Sequence, residues 1–343
     1  MNILFLGHLW HGFKIPGAVY VQQALEEMGH EVVAFDFSYW RQQPAKIFEP
    51  GDLSTWKPLF LAERERMLAL DFDFVLACKG ITSRNIERLR ETFKCPVVYW
   101  CWDRMMITGW PPSRKHLDSC AAADLYLSPT PSFAPEYREA GAAFRYLPLD
   151  VAQREFGKPG RQKPKVAPSG DTIPVLFTGT CYGRWGRRID TFLEIEKLLG
   201  DVEFHAFGNG HWEREGFTRH HPQTWGHAFQ AVVEKSKVCL AAGGFVPHLE
   251  GCWSNRNARY MGCGGFTLSQ YVPGMERTFG PDGENLVYWQ TAEDCVEKIK
   301  YYLAHEDERV EIAARGQQFA KKYLTIDYRV QQMMTIVCME LGL

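Results

Sequence analysis

Short apolar runs alternate with amphipathic ones along the first half of the chain. NILFLG, EVVAFDF, DFVLAC, PVVYWCWD, ADLYLSP and FRYLP read as strands, while GAVYVQQALEEMGH, SRNIERLRETF and SFAPEYREAG carry the three-and-four spacing of helices. A repeated strand, helix, strand order predicts a parallel, doubly wound α/β sheet. The alternation stops at REFGKPGRQKPKVAPSGD, residues 154–171, where three prolines, three glycines and five basic residues leave almost nothing to bury. Such a stretch reads as a linker. Beyond it the pattern restarts with PVLFTG, RRIDTFLEIEKLLG, VEFHAFGNG, TWGHAFQAVVEKS, KVCLAAGG, GFTLSQ and NLVYW. A second parallel sheet of similar size is therefore expected. Two helical patterns, AEDCVEKIKYYLAH and ERVEIAARGQQFAKKYL, precede the closing run DYRVQQMMTIVCMEL. The expected division is a Rossmann-like domain over 1–155, a linker over 156–171, and a second Rossmann-like domain over 172–325. A last helix over about 326–343 is expected to pack back on the first domain.

Composition changes this picture only by exclusion. The 343 residues suffice for two domains, and 45% hydrophobic with 23% charged residues can bury a core. With 39 Lys and Arg against 41 Asp and Glu, net charge argues for neither a nucleic-acid coat nor a membrane-surface protein. No apolar run approaches the length of a membrane span, and the start lacks a signal-type pattern, so a cytoplasmic protein is expected. The ten cysteines show no CxxC pair and read as buried free thiols; no His or Cys spacing suggests a metal site.

In parallel sheets ligands sit beyond the carboxyl ends of the strands, so the loops there carry the candidate chemistry. The first loop, GHLWHGFKIPG, offers His8, Trp10 and His11 to a polar substrate, although a plain strand-to-helix turn explains it equally and GxGxxG is absent. Asp103 and Arg104 follow the PVVYW strand; a carboxylate there suits hydroxyl recognition or proton transfer, or else a helix cap. Lys79, in ACKG, is either a phosphate or sugar contact or a turn lysine.

In the second half, FTGTCYGRWGRRIDTF joins a glycine loop with Gly179 and Tyr182 to arginines, including Arg184 and Arg188, at the start of a helix. Cations are disfavoured at a helix N-terminus unless an anion joins them, which a diphosphate would do. Gly208 and Asn209 in FGNGHW either accept a nucleobase or form an ordinary turn. His248 and Glu250 stand together in the next loop, suited to acid–base chemistry or to capping. The segment WSNRNARYMGCGGF follows. Ser254 or Asn255 suits an N-cap, Arg256 and Arg259 share one helix face, and Gly264 and Gly265 permit close backbone approach. A basic helix face of this kind suits an external anion.

From Asn255 through CGGF and YVPGMERTFGPDGENLVYWQTAEDCVEKIKYYLAHEDERVEIAARG the chain resembles the C-terminal region of GT-B glycosyltransferases, in the group-1-like branch typified by the spore maturation protein CgeB. ACKG, VVYWCWD, DLYLS, EYREAGA and YLP resemble that branch more loosely. The resemblance implies the GT-B fold, two Rossmann-like domains facing a cleft, and sugar transfer from a nucleoside-diphosphate sugar, UDP-sugar foremost, to a hydroxyl acceptor. A glycan or a hydroxymethylated DNA base of phage type would serve as acceptor, and no tightly bound cofactor is implied. On this reading Gly179, Tyr182, Arg184, Arg188, Gly208, Asn209, Ser254, Asn255, Arg256, Arg259, Gly264 and Gly265 hold the donor. Asp103, His248 and Glu250 orient the sugar or activate the acceptor, and His8, Trp10, His11, Lys79 and Arg104 contact it. Many retaining members carry two glutamates eight residues apart, the second contacting the donor ribose; here those places hold Gly251 and Arg259. Alternatives are an inactive nucleotide-sugar-binding module or a nucleotide-sugar epimerase of the same fold.

Overall fold

The alternating runs form two six-stranded parallel sheets. A computed structural model describes residues 1–7, 17–36, 64–78, 81–101, 112–148, 172–180, 186–214, 216–242, 249–251 and 253–343, with backbone alone for 186–188. The chain divides into one unit of Met1–Leu149 with Ile326–Leu343 and another of Asp150–Thr325.

The first unit contains β1 (Asn2–Gly7), α1 (Gly17–Glu27), β2 (Glu31–Asp36), β3 (Phe74–Cys78), α2 (Ser83–Phe93), β4 (Val97–Trp100), α3 (Arg114–Ala122), β5 (Leu125–Ser128), α4 (Ala134–Glu139) and β6 (Phe144–Tyr146). Its sheet runs β2-β1-β3-β4-β5-β6, all parallel. Continuous burial of β3, β4 and β5 is what a sheet covered on both faces requires, and explains why these strands read as unbroken apolar runs. Thr82 and Ser113 cap α2 and α3 by accepting from the amides of Asn85 and His116. Behind β5, the His116 ring lies 3.0 Å from Tyr126 Oη and 3.1 Å from Cys120 Sγ.

The second unit contains β7 (Ile173–Thr178), α5 (Gly186–Leu199), β8 (Phe204–Phe207), β9 (His220–His221), α6 (Gly226–Glu234), β10 (Ser236–Ala241), α7 (Arg256–Gly262), β11 (Thr267–Gln270), α8 (Met275–Phe279), β12 (Val287–Trp289), α9 (Ala292–Ala304) and α10 (Glu306–Tyr323). Strand order is β12-β11-β10-β7-β8-β9, again all parallel. Period-two alternation sorts its core: Val238 and Leu240 of β10 pack with Phe177, Phe192 and Ile299 on one face, Cys239 and Ala241 with Phe229, Val233 and Tyr260 on the other. The two-residue edge strand β9 lies in a stretch without apolar alternation to announce it. A final helix, α11 (Ile326–Leu341), belongs to the first unit; it packs on α1 and β5, and Glu340 accepts two hydrogen bonds from Arg145 at 2.7 and 2.6 Å.

Seven of the cysteines, Cys78, Cys95, Cys101, Cys120, Cys239, Cys263 and Cys295, are buried free thiols. Burial pushes the thiols of Cys239 and Cys263 well up, which suits packing rather than reactivity.

Candidate functional site

From β7 the second sheet grows outward through β8 and β9, then crosses back to grow the other way through β10, β11 and β12. Between β7 and β10 the connections part to opposite sides, which opens a crevice beyond the strand ends where ligands of such sheets bind. Thr178 and Gly179 form one lip of this crevice, Ala241 and Ala242 the other.

Arg256, the first residue of α7, spans both lips. Its Nε donates to the Thr178 carbonyl, and its Nη1 to the Ala242 carbonyl at 3.3 Å and to Ser254 Oγ at 3.0 Å. The guanidinium lies 4.5 Å from the centre of the Phe177 ring, a cation–π distance. Four residues on, the buried Tyr260 fastens α7 to the same strand end: its hydroxyl accepts from the Thr178 amide at 2.8 Å and lies 3.0 Å from Thr178 Oγ1. A helix this short depends on such ties, because its own hydrogen bonds give little stability.

Glycines bring the loops to backbone contact. A methyl group on Gly179 would sit 2.7 Å from Arg256 Nη2 and 2.8 Å from Phe177 Cζ, and one on Gly208 would run into the Gly179 carbonyl. The Gly179 amide donates to the Phe207 carbonyl at 2.8 Å, so the ends of β7 and β8 are held together there. Asn209 Nδ2 donates to Gln223 Oε1.

Arg259 turns away from Arg256 toward α6. Its guanidinium lies 4.3 Å from the Phe229 ring and 5.4 Å from that of Trp225, which is 41% exposed at the start of that helix. Burial, and then the neighbouring Arg256, pull the Arg259 pKa down to about 10, which leaves it a cation at neutral pH.

Other candidates fall elsewhere. Asn255 occupies the N-cap place of α7 without a capping bond from its side chain; Ser254 Oγ instead accepts from the Arg256 amide at 3.2 Å. Gly264 and Gly265 do not reach the crevice. They turn the chain from the C-terminal end of α7 into the amino end of β11, about 10 Å of helix away from Arg256. A methyl on Gly265 would meet Val233 Cγ1 at 2.6 Å and one on Gly264 would meet Gln317 Nε2 at 2.8 Å, so their smallness serves packing. Glu250, half-buried, pairs with the exposed Arg277 of α8. His8, Trp10, His11, Lys79, Asp103, Arg104, Tyr182, Arg184 and His248 lie outside the described residues, as does the side chain of Arg188 at the start of α5. Thr178, Tyr260, Phe177, Phe229 and His220 belong to the site's surroundings without having been singled out in the sequence. A threonine closing a strand directly before a glycine loop is the one signal that was available.

Residues 187–335 match the family model described as Glycosyl transferase-like. This part of the chain is glycosyltransferase-like. No curated protein matches the sequence. Among solved structures, HepE of Anabaena in complex with UDP-glucose is 13% identical, with 98% of this chain and 99% of that one covered at a TM-score of 0.63. Sucrose-phosphate synthase of Thermosynechococcus elongatus is 14% identical, with 100% and 99% covered at 0.63. The lipopolysaccharide outer core galactosyltransferase WaaB, in its apo form, is 15% identical, with 98% and 99% covered at 0.58. The chain thus has the GT-B fold. Among the described residues no helix is long and apolar enough to cross a membrane, and no cluster of three or more His, Cys, Asp or Glu has the arrangement of a metal site.

Proposed function

We propose that this protein transfers a sugar from a nucleoside-diphosphate sugar, UDP-sugar foremost, to a hydroxyl group, as a member of the CgeB-like branch. The observation that carries the proposal is the Arg256 guanidinium spanning the carboxyl ends of β7 and β10. In glycosyl transfer the acceptor oxygen attacks the anomeric carbon while the bond to the diphosphate breaks, and negative charge grows on the departing phosphate. A fixed cation stabilises that charge more than it stabilises the ground state. Arg256 is fixed by three hydrogen bonds and the Phe177 ring, so little reorganisation is needed.

Arg259, braced against Phe229, takes the nucleoside side, and the Gly208–Asn209 turn receives the base. Tyr182, Arg184 and Arg188, whose side chains lie outside the described residues, are the sequence candidates for further contacts to the diphosphate. Asp103 and His248 are the candidates for taking the acceptor proton, while the pairing of Glu250 with Arg277 suits it to orienting the loop. UDP is favoured because HepE, of the same fold, binds UDP-glucose.

The test is incubation with a panel of UDP, GDP and ADP sugars, alone and with glycan or hydroxymethylated DNA acceptors. Release of nucleoside diphosphate or transfer to one acceptor is expected. If no donor is turned over and none raises the melting temperature, the proposal fails.

A further inference from the structure

Gly208, which touches Gly179 at the crevice, is held on both sides by one short segment. Its amide donates to the His221 carbonyl at 3.0 Å, and its carbonyl oxygen lies 2.9 Å from His220 Nε2. A carbonyl only accepts, so Nε2 carries the proton and His220 is the donor. Two residues beyond His221, Gln223 Oε1 accepts from Asn209 Nδ2. The turn Gly208–Asn209 is thus tied to residues 220–223 by main chain and by side chains.

The ring that makes the central tie is itself fixed. His220 stacks on the buried Trp212 at 6.4 Å and 22°. Its neighbour His221 stacks on Phe207 at 4.4 Å and shares a 2.9 Å hydrogen bond with His205 Nδ1, whose Nε2 faces Glu203 at 3.2 Å. An edge strand of two residues needs no such side-chain ties merely to end a sheet; natural edges use short strands and charged side chains. Here the side-chain bond is aimed at the turn, and the turn bears on the crevice. The Phe207 carbonyl accepts from the Gly179 amide, and Gly179 lies directly against Arg256 Nη2. Displacement of the Gly208 turn therefore moves the lip against which the diphosphate arginine is seated.

We infer that His220 is a positioning residue for nucleotide binding: its Nε2–H fixes the Gly208 carbonyl, and so fixes the turn against which the nucleotide of the donor lies. This rests on the reading of the β7–β10 crevice as a nucleotide-sugar site. Loss of the hydrogen bond lowers affinity for the nucleotide while the sheet stays folded, because the Trp212 stack and the main-chain ladder between β8 and β9 do not need the imidazole N–H.

Two variants separate this role from bulk packing. His220→Phe keeps an aromatic ring over Trp212 without a donor, and His220→Gln places an amide N–H near the position of Nε2. Both are titrated calorimetrically with UDP beside the wild type, with melting temperatures recorded. His220→Phe is expected to bind UDP about tenfold more weakly, and His220→Gln to recover to within about threefold of the wild type. Equal affinity of wild type and His220→Phe, or an equal loss in both variants, overturns the assignment. Should His220→Phe fail to fold, His220→Met, which fills the same space without a donor, is titrated in its place: a weaker UDP affinity supports the inference and an unchanged one overturns it. A wild type that binds none of UDP, GDP and ADP overturns the reading of the crevice along with the role of His220, whereas UDP binding that ignores these substitutions removes only the latter.

Discussion

Gly179→Ala moves the central arginine without changing its charge. The added methyl would lie 2.7 Å from Arg256 Nη2 and 2.8 Å from Phe177 Cζ, where ordinary contact is about 3.5 Å or more. Relief on that side requires a shift of about 0.8 Å at the guanidinium, enough to stretch its 3.3 Å bond to the Ala242 carbonyl beyond useful length. Gly179 is not among the glycines with positive φ, so alanine brings no backbone strain. Arg256 Nη2 is the far end of a flexible side chain and can yield, but the buried Phe177 ring must shift too, which puts the stability cost at about 1–2 kcal/mol, or a melting-temperature drop of about 2–8 °C. The binding cost is larger: a misplaced charge-assisted hydrogen bond to phosphate is worth about 1.5–3 kcal/mol, or about 10- to 150-fold in affinity. Differential scanning fluorimetry and UDP titration measure the two separately. Gly179→Ala binding UDP within threefold of the wild type would refute the placement of the diphosphate against Arg256.

Two further outcomes follow from groups around and away from the crevice. Tyr260→Phe leaves the Thr178 amide and hydroxyl without their buried partner and is expected to cost about 1–3 kcal/mol in thermal unfolding; a loss under about 0.3 kcal/mol contradicts the role given to that hydroxyl. In the first unit, burial pulls the His116 imidazole down from 6.5 to about 4, so the folded state binds fewer protons than the unfolded one. That contribution, about 3 kcal/mol, is complete above pH 6.5 and is lost as the pH falls toward 4. His116→Gln should flatten the fall in melting temperature over this range, and an unchanged slope would show that His116 is not its source.

Much of the architecture was legible in the sequence because strands buried on both faces are unbroken apolar runs, as in VVYW and VCLA, and their helices carry a clear three-and-four spacing. Strand β9 was not, since His220 and His221 owe their place to hydrogen bonds with Gly208 and His205 rather than to apolar alternation. Around the crevice, the sequence draws attention to Arg256 through the basic face it shares with Arg259, and to Gly179 as a glycine following a strand, and the structure brings these two residues together. Tyr260 and Thr178, 82 positions apart in sequence, draw none; a tyrosine inside a helix reads as core until the strand that it touches is known. Gly264 and Gly265 show the converse. Their smallness signals close approach, and the groups that approach them are Gln317, Val233 and Cys239.

The account stands on Arg256 as the diphosphate contact, and the most direct measurement is calorimetric titration of UDP into the wild type and into Arg256→Met, which keeps an unbranched apolar stem without the charge. The wild type is predicted to bind UDP and Arg256→Met to bind it about 30-fold more weakly, with both proteins folded. Equal affinity in the two proteins, or a wild type that binds no nucleoside diphosphate at all, would contradict it.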